Sequence, residues 1–467
     1  MKSVTLKLLA YCRANDWAGY DPYDALNSKI FKSLPFLDFR LFRLGLTQIL
    51  KRSPINFRPL LLIPKTQNPK AIALFLMAFL KLKRLGLLKD ESLIALMIEK
   101  LVNLRSPNNS INPSNLSREM GSLFHRDPNN PSNSTNLSNS YFCWGYSFPW
   151  QTRTILVPRG APNLVCTTFV ANALLDAYEY SSKPETPRSS GEALLMPSGS
   201  HRPSASSETI LQPSASNGEL SPSEADLQPA TFGALCLNMA TSASEYILNE
   251  LYWEDGNSAA SFSYPLPSLR SQTHNANFLG AALLCRVYKH CTEKKFLEPA
   301  LKVARYSASK QHDDGSWDYG ETATQRWVDN FHTGYNLCAL RSICQDAETS
   351  EFESQIRRGF EFYRKNFFRE DGAPKYFHNR TYPIDIHCVA QSISTLLAFK
   401  DLHENNVSLA HVVFRWAMTN MWDEQGYFYY QVFSLFKNKI SYMRWSQAWI
   451  LLALATLLEH TEQSINV

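Results

Sequence analysis

Apolar positions recur at three- and four-residue spacing through most of the chain. PNLVCTTFVANALLDAY (162–178), ATFGALCLNMATSASEYILNELYW (230–253) and NANFLGAALLCRVY (275–288) show it, as do FESQIRRGFEFYRKNFF, DIHCVAQSISTLLAF, LAHVVFRWAMTNMW and SQAWILLALATLLE farther on. That period predicts helices with one apolar face. Period-two alternation is scarce, and KYFHNRTY and GYFYYQVF are long enough only for small hairpins at loop level. Two stretches break the pattern. Residues 106–140 are rich in Asn, Ser and Pro, and residues 181–229 in Ser, Pro and Glu. Neither carries enough apolar surface to offset the entropy of ordering, so both are expected to be mobile loops, the second an insert between two helices.

The helices come in a repeat. QHDDGSWDYG (311–320) follows one helix and leads through a polar loop into WVDNFHTGYNLCAL. REDGAPKYFHN leads in the same way into YPIDIHCVAQSISTL, and DEQGYFYYQ into YMRWSQAWILLAL. The turn glycines Gly315, Gly372 and Gly426 lie 57 and 54 residues apart. SFSYPLPSLRSQTHNANFLGAAL (261–283) and FCWGYSFPW (142–150) read as degraded copies. One helical hairpin cannot bury its own apolar face, so neighbouring copies must stack, and five or six of them close into a ring. The expected fold class is all-α: an α/α toroid of six-hairpin type over 141–467, with a helical region 1–105 packed on it. In such a ring the second helix of each copy lines the centre, and its N-terminus opens on a shared mouth.

Composition narrows the class. The chain has 467 residues, 44% of them hydrophobic and 12% aromatic, enough for a large core. The net charge of +5 comes without a Lys/Arg block, which gives no argument for nucleic acid as a partner. Nine cysteines are dispersed without a CxxC pair, as expected of reduced, buried thiols in a cytoplasmic protein. The N-terminus carries no recognisable signal peptide. The most apolar stretch, AIALFLMAFLKLKRLGLL (71–88), is interrupted by three basic residues, which predicts a buried or interfacial helix and leaves peripheral membrane contact open. No HExxH, Cys cluster, G-x-S-x-G, Walker or dinucleotide motif is present, so neither a metal nor a nucleotide cofactor is expected.

Two resemblances bear on function. QHDDGSW resembles the Q-x-x-x-G-x-W repeat of squalene and terpene cyclases, which are α/α barrels; the likeness implies that Gln311, Gly315 and Trp317 tie one helix to the next repeat. The D-x-D-D acid of those cyclases is not evident. More broadly, WAGYDPYDALNS (17–28), FCWGYSFPW, WVDNFHTGYNL, YPIDIHCVAQ and NKISYMRWSQAW resemble a poorly characterised prokaryotic family found with surface-polysaccharide and glycosyltransferase genes. Its members sometimes carry the label delta-aminolevulinate dehydratase, but that enzyme is a β/α barrel with catalytic lysines, and this chain is helical. The resemblance implies a toroid acting on a glycan or glycan precursor in cell-surface polysaccharide synthesis.

The polar residues at the starts of the inner helices are the candidates for chemistry. Asp329, His332 and Tyr335 follow at i, i+3 and i+6, so an acid can orient an imidazole on one helical face. Tyr382, Asp385 and His387 open the next repeat, where Asp385 alternatively serves as a helix cap. Arg444, Trp445 and Gln447 open the third; an Arg beside a Trp suits an anionic sugar, or else a structural bond to loop carbonyls. Trp150, Trp317, Tyr319 and Tyr430 complete a candidate aromatic wall, with core packing as the alternative. The expected function is acid–base modification of a carbohydrate by Asp329, His332, Tyr335, Asp385 and His387, as an epimerase, lyase or hydrolase. An isoprenoid cyclase or transferase would instead show a deep aromatic cavity with an acid at its base. A glycan-binding scaffold would show aromatics without converging His and Asp.

Overall fold

The computed structural model describes residues 1–106, 141–182, 229–256 and 259–465. The loops expected at 106–140 and 181–229 fall almost wholly outside the described residues. Twelve helices build the body: α1 (Lys2–Ala14), α2 (Pro69–Arg84), α3 (Ser92–Asn103), α4 (Leu164–Ser181), α5 (Pro229–Tyr246), α6 (His274–Cys291), α7 (Lys294–Ala308), α8 (Asn330–Asp346), α9 (Glu353–Asn366), α10 (Ile386–Ala398), α11 (Asn406–Met421) and α12 (Ala448–Ile465). The even-numbered helices form an inner ring. Each packs on the next, and α12 packs back on α2, which closes the circle. The others pack outside: α3 on α2, α5 on α4, α7 on α6, α9 on α8, α11 on α10, and α1 on α12. The chain is an α/α toroid.

The N-terminal region departs from its expected place. It does not sit on a finished toroid; α2 is one of the six inner helices, and α1 and α3 are outer ones. The apolar run 71–88 is therefore neither interfacial nor lipid-facing: most of α2 is buried among inner neighbours. Asn68 caps this helix, accepting from the Lys70 N–H, and Pro69 occupies its first position, where a missing N–H costs nothing. Lys81 and Arg84 at its far end both bond to Glu459 of α12, fastening the two ends of the chain.

The glycine turns recur in geometry as well as in spacing. Gly315, Gly372 and Gly426 have φ of 91°, 84° and 93°, a region open to glycine and costly for other residues. The Gln311–Trp317 tie is also in place. Gln311 Nε2 donates to the carbonyls of Gly315 and Gln355, and Trp317 Nε1 donates to the Ser307 carbonyl. Among the described residues strand is confined to short pieces in the loops, among them β1 (Trp150–Gln151) with β2 (Leu156–Val157) and a three-stranded sheet before α10 and α12.

At four of the six inner helices the residue just before the first helical turn also latches to a neighbouring loop. Thr273 bridges Gly320, Asp329 bridges Phe377, Asp385 pairs with Gln431, and Tyr442 bridges Tyr20. The N-terminal ends of the inner helices are thereby held at one level, around a common hollow.

Candidate active site

A cavity of about 690 Å³ opens at that level. The second residue of each of the first five inner helices lines it: Lys70, Val165, Asn275, Phe331 and His387. The sixth contribution comes from Met443–Gln447, a turn of π-helix leading into α12, which supplies Arg444 and Trp445. Helix N-termini carry partial positive charge, and six of them converge here.

Asp329 caps α8. Its Oδ1 accepts from the His332 N–H at 3.0 Å, and its Oδ2 lies 2.7 Å from His332 Nδ1 and accepts from Trp327 Nε1 at 3.0 Å. The imidazole is held at Nδ1, which leaves Nε2 to act on a ligand. Tyr319 lies against the same ring and stacks on Trp327 at 4.7 Å.

His387 is almost wholly buried on the neighbouring helix. Its Nε2 is 2.5 Å from the Tyr335 hydroxyl, and its Nδ1 has no hydrogen-bond partner among the described residues. Burial, then the positive charges of Lys70 and Arg444, holds its pKa well below the ordinary imidazole value, so the ring is neutral at physiological pH. Burial also raises the Tyr335 phenol well above its usual value. The two histidines flank Phe331, whose ring centroid lies 4.2 Å from His332 and 4.7 Å from His387.

Lys70 was not singled out in the sequence. Its side chain is buried against Phe169, with the ammonium 3.9 Å from the ring centroid, and near Trp449 and Tyr335. Among the described residues no carboxylate pairs with it, and burial lowers its pKa well below the usual amine range. The visible signal was a lone lysine at the start of the apolar helix PKAIALFLMAFL. Lys51, Arg153, Tyr23, Tyr146, Tyr264, Trp327 and Tyr376 also line the cavity and were likewise missed.

The sequence candidates divide. Asp329, His332, Tyr335, His387, Trp150, Tyr319, Arg444 and Trp445 meet at the cavity. The others stand away from it. Asp385 is buried one layer behind: it caps α10 through the His387 N–H and accepts from Gln431 Nε2 and Trp445 Nε1, so it orients the groups at the wall. Burial raises its carboxyl to about 6. Trp317 packs edge-on to Phe278 in the core between repeats. Gln447 binds the backbone N–H and C=O of Phe428 and so staples a hairpin. Tyr430 is buried against Tyr442, and Tyr382 is on the surface outside the lining. Of the QHDDGSWDYG segment, only Tyr319 reaches the lining. For Arg444, the expected clamp on a ligand is already occupied. Its Nε and Nη2 grip both oxygens of Asp21 at 2.6 and 2.8 Å, leaving Nη1 and the second N–H of Nη2 as donors.

Among the described residues, no group of three or more His, Cys, Asp or Glu side chains is placed to hold a metal ion. Nor is any described helix long and apolar enough to cross a membrane.

No protein-family model matches the chain, and no curated protein matches it in sequence. Solved structures match in fold. A GH76 α-mannanase from Bacteroides thetaiotaomicron superposes with a TM-score of 0.53 at 10% identity, over 85% of this chain and 87% of its own. Cellobiose 2-epimerase from Bacillus thermoamylovorans gives 0.52 at 10% identity, over 85% and 90%. A sugar epimerase from a ruminal bacterium gives 0.50, with the same identity and coverage. At this identity the likeness is one of architecture.

Proposed function

We propose that this toroid is a carbohydrate-active enzyme that removes and returns a proton at carbon on an anionic sugar, in epimerisation or elimination. The observation that carries this reading is the charge of the lining. Lys51 and Arg153 face the cavity with one carboxylate among the described lining residues, Asp329, which is bonded to His332 and Trp327; Lys70 and Arg444, buried in the same wall, add N–H donors, the charge of Arg444 being paired with Asp21. Converging helix N-termini add to the positive field. A sugar carboxylate or phosphate is the complement.

The chemistry follows from the two imidazoles. His387, kept neutral by burial, takes a proton from the carbon beside the sugar's carboxylate or carbonyl, and Tyr335 shares the hydrogen bond that tunes it. His332, oriented by Asp329, delivers a proton from its own side of Phe331. Lys70, and the Arg444 N–H groups that Asp21 leaves free, donate to the oxygen on which the enolate's charge develops. Tyr319, Trp327 and Trp445 stack on the sugar ring. Hydrolysis draws less support: glycosidases use two carboxylates roughly 5–9.5 Å apart, and the described lining carries one. An isoprenoid cyclase needs an acid with a free proton, whereas Asp329 is spent on three nitrogen partners, two from His332 and one from Trp327. Mannanase and epimerase neighbours fit a sugar substrate, and the family resemblance fits a role in surface-polysaccharide synthesis. The nine free cysteines fit a reducing compartment.

A thermal-shift series tests the substrate class. Uronic acids and sugar phosphates should raise the melting temperature, and the matched neutral sugars should not. Stabilisation by prenyl diphosphates alone would remove the proposal.

A further inference from the structure

The segment between α1 and α2 leaves large apolar side chains in solvent. Phe36, Leu41 and Leu60 are 73%, 74% and 72% exposed, and Ile49 and Ile55 are exposed as well. Single exposed leucines need no explanation; a cluster from one segment marks a contact surface. The Arg40–Arg52 helix is central to it. Leu50 points into the fold, while Leu41 and Ile49 point out. A hairpin tip from the far end of the chain joins the same face. Leu435 is 95% exposed with Phe436 beside it, and Asn438 Nδ2 at the hairpin's base donates to the Ser53 carbonyl at the helix end.

The charges around this surface choose its partner. Residues 29–65 hold eight Lys and Arg and a single acid, Asp38. Arg58 is buried on Asp24, and Arg43 is taken by Asp38 and Gln151. Lys29, Lys32, Arg40 and Arg52 are exposed and form no ion pair among the described residues, and Lys437 and Lys439 stand exposed at the hairpin. Apolar tips ringed by cations are the complement of an anionic bilayer, with phosphates at the level of the cations and acyl chains beneath.

We propose that this face docks the protein peripherally on an anionic lipid surface, with Phe36, Leu41, Leu60 and Leu435 entering the headgroup boundary. Lys51 of the same helix and Tyr23 line the cavity, and Arg43 holds Gln151 beside the cavity residue Trp150, so docking sets the cavity mouth next to the lipid plane. The docking is independent of the chemistry proposed for the cavity.

Flotation of the full chain with vesicles tests it. Vesicles of phosphatidylglycerol and phosphatidylcholine mixed equally should carry the protein, with binding that falls as salt rises, and phosphatidylcholine alone should bind about tenfold less. Phe36→Ser with Leu41→Ser and Leu60→Ser should cut binding about tenfold or more at an unchanged melting temperature, because these side chains pack on little in the folded chain. Lys32→Glu with Arg40→Glu and Arg52→Glu should do the same. Absence of binding to both vesicles, or wild-type binding by the serine variant, overturns the proposal. So does a solution dimer that the serine variant converts to monomer, since the face then belongs to a second copy of the chain.

Discussion

Tyr335 and His387 stand on adjacent inner helices, and the phenol oxygen of the first lies 2.5 Å from Nε2 of the second. Each was placed there by a different repeat, one from the face of α8 and one from the second position of α10. If this pair is the acid–base centre, His387→Asn should lower turnover by about 10²–10⁴ with the fold intact. Tyr335→Phe should lower it less. Far-ultraviolet circular dichroism and steady-state rates on the same preparations check both.

Asp21 and Arg444 are 423 positions apart and form a buried, two-pronged ion pair. Removing one partner leaves an uncompensated charge inside. Asp21→Ala should therefore cost about 3–5 kcal/mol of stability. Asp21→Leu combined with Arg444→Met should cost clearly less than that, because no orphan charge remains. Urea unfolding of the single and double variants gives the comparison.

The buried imidazole of His274 sets part of the acid sensitivity. Burial lowers its pKa to about 4 from the ordinary 6.5. The unfolded chain then binds a proton that the folded chain refuses, so stability is lost as pH falls from 6.5 through about 4. Asp24 and Asp385 act in the opposite sense: burial raises both to about 6, so they favour the folded state as pH falls toward the ordinary carboxyl value. His274→Gln should lose less stability than the parent between those pH values, by on the order of 3 kcal/mol. Chemical denaturation at a series of pH values reads it.

Trp317 belongs to the joint between repeats rather than to the cavity wall. Trp317→Ala should cost about 3–5 kcal/mol as a core truncation, with KM unchanged in the fraction that folds. At Gly315 a Cβ would lie 2.4 Å from the Arg358 carbonyl oxygen, so Gly315→Ala should also destabilise through backbone clash and positive φ. Melting temperatures and KM values of the two variants check the assignment.

How much was legible depends on the range of the interactions. The toroid was legible because each repeat must leave local marks: a glycine where φ is positive, as at Gly315, Gly372 and Gly426, and an acid where a helix needs a cap, as at Asp329 and Asp385. The convergence of His332 and His387 followed from that register. The sixth inner helix was not legible. DWAGYDPYD (16–24) follows α1, but Gly19 is not at positive φ and more than forty residues separate it from Pro69, so α2 is set between α12 and α4 by packing that the repeat spacing does not record. Partners were equally hidden: nothing around Arg444 names Asp21, and nothing around Lys70 shows that a lone lysine ends inside the ring. Trp317, Tyr430 and Gln447 have the chemistry of ligand groups, and only their packing away from the cavity wall decides otherwise.

The most direct measurement is solvent deuterium wash-in. An anionic sugar that stabilises the protein is incubated with it in D2O, and deuterium at the carbon beside the carboxylate or carbonyl is followed by NMR. The expected result is incorporation by the parent protein and its loss in both His332→Asn and His387→Asn. Release of free sugar from a glycoside without any incorporation, or incorporation that survives both substitutions, would contradict a proton-transfer centre in this cavity.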